Sequence, residues 1–195
     1  MAPTTDPTTP ATLRLAILIG SVRQGRFGPT VAAWFVAQAQ QRPEFVLDVI
    51  DLQAFALPSD MSPSDQGSAF AERIGLADAF VVVTPEYNHS YPGPLKTAID
   101  SVGAQWYAKP VAFVAYGGVS GGLRAVEPLR GVFAELHAVT IRTTVSFHRA
   151  RTQFTPEGTP LAPEAVNAAA AALLTQLRWW ASALQLARRT DPYAG

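Results

Sequence analysis

The chain has 195 residues, of which 48% are apolar and 15% charged, and its 15 basic and 15 acidic side chains balance to a formal net charge of zero. That length suits one well-buried domain rather than two, and the lack of a basic excess argues against a nucleic-acid partner. There is no cysteine, which excludes disulfides, thiolate metal sites, cysteine-ligated iron–sulfur clusters and catalytic thiols.

Residues 1–11, rich in Thr and Pro, read as a disordered leader before a single domain over 12–190. They carry no positive n-region, and the apolar run from Leu15 to Ile19 is too short for a signal core or a membrane span. A cytoplasmic protein without a membrane partner is expected. Leu13 to Ile19 is apolar except for Arg14 and ends in Gly20-Ser21, the pattern of a buried parallel strand meeting a turn. Gly28-Pro29-Thr30 opens a helix, with proline near its first turn. Phe45 to Asp51 alternates more and reads as a second strand nearer the sheet edge. A Pro- and Ser-rich loop leads to a short helix near Ser68 to Gly75.

Ala79 to Val83 is the third strand, and Pro94 to Val102 the helix beyond its loop. The fourth strand, Val111 to Tyr116, runs into the glycine-rich turn Gly117 to Gly122. A helix follows from Leu123 to Leu136, its start blurred by Pro128. Val139 to Val145 is a β-branched strand, Arg149 to Pro163 an irregular loop, and Pro163 to Arg189 the last helix. Five alternations of strand and helix point to a parallel sheet covered on both faces. In such a sheet, ligands bind at the carboxyl ends of the strands.

Three loops at that edge carry the chemistry. The first spans Gly20 to Thr30, where amides at a helix start make an anion site. Ser21 and Thr30 add hydroxyls, and Arg23 and Arg26 add forks that match phosphate oxygens. The second, Thr84-Pro85-Glu86-Tyr87-Asn88-His89-Ser90-Tyr91-Pro92-Gly93, offers backbone amides, an aromatic face and amide groups to a flat heteroaromatic ring. Gly93 is expected to be required where the chain turns into the next helix. The third, Tyr116 to Gly122, has several glycines directly after a strand, which let backbone approach a ligand without a Cβ clash. His89 in the second loop reads as a bystander, His137 at a helix end is explained by the helix dipole, and His148 has no visible partner. No Ser/His/Asp set, carboxylate pair or metal-ligand spacing stands out. No catalytic side chain and no metal ligand is assigned.

The segment from Pro85 to Asp100 resembles the PEYNxSxPGxLKNAID loop of the NAD(P)H-dependent FMN reductase family, and Gly20 to Arg26 resembles its GSxRxxR phosphate loop. The resemblance extends from Leu13 to Val145. It departs at Thr97, where the family usually has Asn, and at Ser101, often aromatic. It implies a flavodoxin-like three-layer α/β sandwich with strand order 2-1-3-4-5 and FMN as cofactor. The flavin phosphate would then contact Gly20, Ser21, Arg23, Arg26, Phe27, Gly28 and Thr30. The ring would lie against Pro85, Glu86, Tyr87 and Asn88, and its pyrimidine end against Gly117, Gly118, Ser120 and Gly121. Lys96 would reach a backbone carbonyl or a subunit partner.

The implied activity is hydride transfer from NADPH or NADH through FMN to a small-molecule acceptor (flavin, quinone or azo compound) by a ping-pong mechanism. A non-enzymatic flavodoxin-like electron carrier and a redox-sensing flavin-binding protein are the alternatives. A homodimer or homotetramer is implied, with Trp106 and Phe133 as candidates for its buried surface. The Trp179-Trp180 pair reads as packing or a subunit contact.

Overall fold

A computed structural model describes residues 12–195, so the leader expected over 1–11 lies outside the described residues. Five strands, β1 (Leu13–Ile19), β2 (Phe45–Asp51), β3 (Ala79–Pro85), β4 (Pro110–Tyr116) and β5 (Val139–Phe147), form one parallel sheet in the order β2-β1-β3-β4-β5. Five helices connect or follow them: α1 (Gly28–Ala39), α2 (Asp65–Leu76), α3 (Gly93–Asp100), α4 (Leu123–Glu135) and α5 (Pro163–Thr190).

The central strands are buried on both faces, which explains their continuous apolar runs. Alternate residues feed two cores. Leu15, Ile17, Val81 and Val114 pack against Val31 and Phe35 of α1 and Leu173 and Leu177 of α5. Leu18, Phe80, Val82 and Phe113 pack against α2, α3 and α4 through Phe70, Leu95 and Leu129. β2 occupies an edge, as its looser pattern predicts, and leaves Val46 and Val49 exposed. Trp34 Nε1 donates to Asn167 Oδ1 at 2.9 Å and ties α1 to α5.

Several boundaries differ from the sequence expectation. α2 begins three residues earlier, at Asp65, because the Ser64 hydroxyl accepts from the Gly67 amide at 3.0 Å and caps it. Pro128 sits inside α4 on its exposed face. β3 and β5 each continue two residues further, to Pro85 and Phe147. That extension matters, because Pro85 aligns with Tyr116 and Tyr116 with Phe147. The ends of β3, β4 and β5 therefore stand abreast.

The subunit-surface candidates Trp106 and Phe133 are corrected here. Both are fully buried within this chain, where Trp106 packs edge-on against Phe80 and Phe133. Trp106 also donates Nε1 to the Ile99 carbonyl at 3.1 Å. They fill the core under α3 and α4 rather than an exposed face.

Candidate active site

A cleft of about 570 Å³ crosses the carboxyl edge of the sheet, within the usual range for small-ligand sites. Its walls come from the loop after β1 (Arg23, Gly25, Arg26, Phe27), the end of β3 (Pro85, Glu86, Tyr87) and the end of β4 (Tyr116, Gly117, Gly118). A fourth wall is the turn after β5, residues 149–152.

In the first loop, Ser21 is fully buried and its hydroxyl lies 3.2 Å from the Tyr116 hydroxyl. Gly28 must be glycine for this pair to form, since a Cβ there would fall 2.5 Å from Ser21 Oγ and 2.9 Å from Tyr116 Oη. Burial pushes the Tyr116 phenol up to about 12, and either hydroxyl of the pair can donate to the other. Gly20 packs against Leu95, and Thr30, whose methyl lies near Gly158 of the loop after β5, does not line the cleft. Arg23 is exposed and lies over the Tyr87 ring at 5.5 Å, joining the first loop to the second.

Arg26 has a different task. Its guanidinium donates to both Asp51 carboxylate oxygens at 2.6 Å and to the Ser21 carbonyl at 2.5 Å. Most of the phosphate fork expected there is therefore engaged with the end of β2, and it clamps the first loop in place. Burial alone would raise the Asp51 carboxyl, but hydrogen bonds from Arg26 and the Gln53 amide, with the Arg26 charge, hold it below the ordinary value. Its stabilising effect is present above the unfolded-state pKa and lost as pH falls through the lower folded one. The stability advantage of the native protein over Asp51→Ala should thus be constant above about pH 5 and shrink below about pH 4, where an unfolded aspartate titrates. Thermal unfolding across pH checks this; an advantage already fading at neutral pH would contradict the clamp.

The second loop is a tight reversal. Tyr87 and Ser90 exchange amide-to-carbonyl bonds of 2.9 and 3.1 Å, with Asn88 and His89 at positive φ between them. Two left-handed residues make this a hairpin turn that Asn tolerates well. Asn88 does not line the cleft, so its contribution is to the turn. Ser90 fixes the loop, as expected. Glu86 extends its carboxylate sideways: Oε2 accepts from the Ser120 hydroxyl and, at 3.3 Å, from the Arg124 amide, and Oε1 lies 3.7 Å from the Arg124 guanidinium. Ser120 thus braces two loops instead of entering the cleft. The requirement for Gly93 is not met: a Cβ there would touch nothing within 4 Å, and its φ is not positive. Lys96 pairs with Asp100 one turn along α3 at 2.6 Å.

In the third loop, Gly117 and Gly118 line the cleft, whereas Gly121 does not and packs against Ser146 and His148. A Cβ on Gly121 would fall 2.4 Å from Ser146 Oγ. The turn after β5 is stapled to this loop, as Arg149 and Ala150 amides donate to the Gly118 and Gly117 carbonyls at 2.7 and 3.1 Å. Arg151 reaches back across the cleft, its Nη2 2.8 Å from the Gly25 carbonyl and its guanidinium over Phe27. Tyr116 opens the third loop but was not among its expected contacts, and sequence reasoning missed Arg149 and Arg151 as cleft residues. The signal was topological, since the loop after the fifth parallel strand must emerge on the same edge as the others.

A parallel sheet in this order, with a cleft across its carboxyl ends, defines a flavodoxin-like sandwich. The flavoenzyme NAD(P)H:(acceptor) oxidoreductase of Paracoccus denitrificans shares the fold, with a TM-score of 0.70 at 22% identity over 86% of this chain and 97% of that one. The chain belongs to the NADPH-dependent FMN reductase family, whose model it matches over residues 13–152. It is similar to an NAD(P)H-dependent FMN reductase of Schizosaccharomyces pombe, 34% identical over 57% of this chain and 61% of that protein. It is also similar to a probable NADPH:quinone oxidoreductase of Oryza sativa, 31% identical over 80% of this chain and 83% of that one.

Proposed function

We propose that this protein is an FMN-dependent oxidoreductase that takes hydride from NADPH or NADH and reduces a small acceptor of the flavin, quinone or azo type. The observation that carries the reading is the charge of the cleft. In a chain of zero net charge, Arg23, Arg149 and Arg151 face one cavity, and none of them pairs with a carboxylate among the described residues. The cavity's own acid, Glu86, is turned toward Ser120 and Arg124. An anionic ligand with a flat ring fits this cleft. Family membership and the relatives' names identify that ligand as FMN.

FMN, when bound, supplies the hydride acceptance and return, so the protein's task is binding, orientation and tuning. The start of α1 and Arg23 would hold the phosphate. The backbone from Pro85 to Tyr87 and at Gly117 and Gly118 would fix the ring, with Tyr87 beside it. Because one open cleft serves both partners, nicotinamide and acceptor would use it in turn, which supports ping-pong kinetics. Titration of flavin fluorescence tests the assignment. Arg23→Ala should weaken FMN binding by about 1.5–3 kcal/mol, the range for a hydrogen bond to a charged group. Unchanged affinity would move the phosphate away from Arg23.

A cytoplasmic homodimer or homotetramer goes with this reading. Among the described residues no helix is long and apolar enough to cross a membrane. Val119, 80% exposed, and Leu123, 43% exposed, stand beside the ring loops, where a second copy would cover them. Sedimentation should show an assembly at micromolar concentration; a monomer that turns over at full rate would contradict it.

A further inference from the structure

Six of the thirteen arginines pair with a carboxylate among the described residues; of the seven that do not, Arg14, Arg142, Arg178 and Arg189 lie away from the cleft and three line it. Arg42, Arg73, Arg124, Arg130 and Arg188 each pair with a carboxylate, and Arg26 is committed to Asp51. Arg23, Arg149 and Arg151 pair with none among the described residues, yet all three line the cleft. Arg23 rises from the phosphate-loop side. Arg149 and Arg151 stand on another wall, provided by the turn after β5.

That turn is built to present them. Arg149 holds φ 47° and ψ 48°, a left-handed conformation that residues other than glycine adopt at some cost and that tends to persist at functional sites. Its amide is bonded to the Gly118 carbonyl at 2.7 Å, and the next amide to Gly117, so the backbone is locked while the exposed side chain is left free. Arg151 is steadied on the Phe27 ring at 5.2 Å and by one bond to the Gly25 carbonyl, which leaves further guanidinium donors available. Two planar forks, two residues apart on a fixed turn, match a phosphate group better than a hydroxyl.

We propose that Arg149 and Arg151 form a second anion subsite, separate from the one at the start of α1, that takes the 2′-phosphate of NADPH and makes the protein prefer NADPH to NADH. The inference rests on the flavin reading above. One FMN phosphate on the Arg23 side leaves the β5 wall with two cations and no anion. The nicotinamide dinucleotides differ only at the 2′ position, where one carries a dianion and the other a hydroxyl.

The test uses the FMN-loaded protein, with calorimetric titration of 2′,5′-ADP against 5′-AMP and steady-state kinetics with both dinucleotides. Arg149→Asn removes the charge while asparagine tolerates the left-handed backbone; Arg149→Lys keeps the charge without the fork. The native protein should bind 2′,5′-ADP at least about tenfold more tightly than 5′-AMP, the effect of one charge-assisted contact. In Arg149→Asn that ratio, and the NADPH-to-NADH ratio of kcat/KM, should fall about tenfold through KM, with Arg149→Lys between the two. Arg151→Ala should lower both ratios in the same direction. Equal binding of the two nucleotides by the FMN-loaded native protein would overturn the inference alone. So would an Arg149→Asn protein that loses FMN affinity while keeping its dinucleotide preference, since the arginine would then serve the flavin phosphate. A native protein that binds no FMN would overturn the flavin reading itself, and this inference with it.

Discussion

Gly122→Ala is expected to be the most damaging single-methyl change in the site. Gly122 holds φ 90° at the start of α4, and an added Cβ would stand 2.6 Å from the Tyr116 amide nitrogen and 2.7 Å from Ala115 Cβ. Those neighbours are β4 itself and cannot swing away. The left-handed backbone adds about 1–2 kcal/mol, and crowding of a packed region about 1–3 kcal/mol. A loss of about 2–5 kcal/mol in unfolding free energy should follow, a large part of the 5–15 kcal/mol typical of a domain. FMN affinity should fall too, because Tyr116 and Gly117 form one wall of the cleft. Chemical denaturation and flavin titration measure both. A variant with the native midpoint and native affinity would show that β4 and the turn can part without consequence.

Glu86→Ala should produce the second large effect, mainly on the ligand. The Glu86 side chain is only 10% exposed and is the acceptor shared by the Ser120 hydroxyl and the Arg124 amide. It therefore ties the end of β3 to the first turn of α4, where a carboxylate is also favoured by the helix dipole. Losing a charged hydrogen-bond acceptor costs about 1.5–3 kcal/mol. Because the loops on either side of the cleft would separate, FMN affinity should drop by about tenfold or more, at 1.4 kcal/mol per decade. Glu86→Gln keeps an acceptor oxygen without the charge and should lie between. Native affinity in the alanine variant would mean that the ring loops hold their positions without the brace.

Much of the fold is legible in the sequence because the inner strands are buried on both faces. Leu13–Ile19 and Ala79–Pro85 read as uninterrupted apolar runs, and the glycines and prolines after them mark the turns. The strand order followed from the family resemblance, not from periodicity. Of the site, the loops after β1, β3 and β4 stood out because their compositions are unusual for connecting segments. The turn after β5 did not, since Arg149 and Arg151 lie in a stretch that resembles any polar loop. Side-chain destinations were the least readable part. Arg26 looks like a phosphate ligand until Asp51, 25 residues away, is folded beside it. Trp106 and Phe133 look like interface residues until the sheet face they cover is known. Gly93 and Gly122 look alike in sequence; only the three-dimensional neighbours show that a Cβ is harmless at one and blocked by β4 at the other.

Under the proposed function, this cleft would hold FMN where a nicotinamide dinucleotide can pass hydride to it. Anaerobic titration of the FMN-reconstituted protein with NADPH, followed in the visible absorbance band of oxidised flavin, tests it most directly. Stoichiometric loss of that band is expected, with its return on adding a quinone and slower bleaching in Glu86→Ala. A protein that binds FMN yet leaves it oxidised in excess NADPH would contradict the proposed function, because the cleft would then hold a flavin that no dinucleotide can reach.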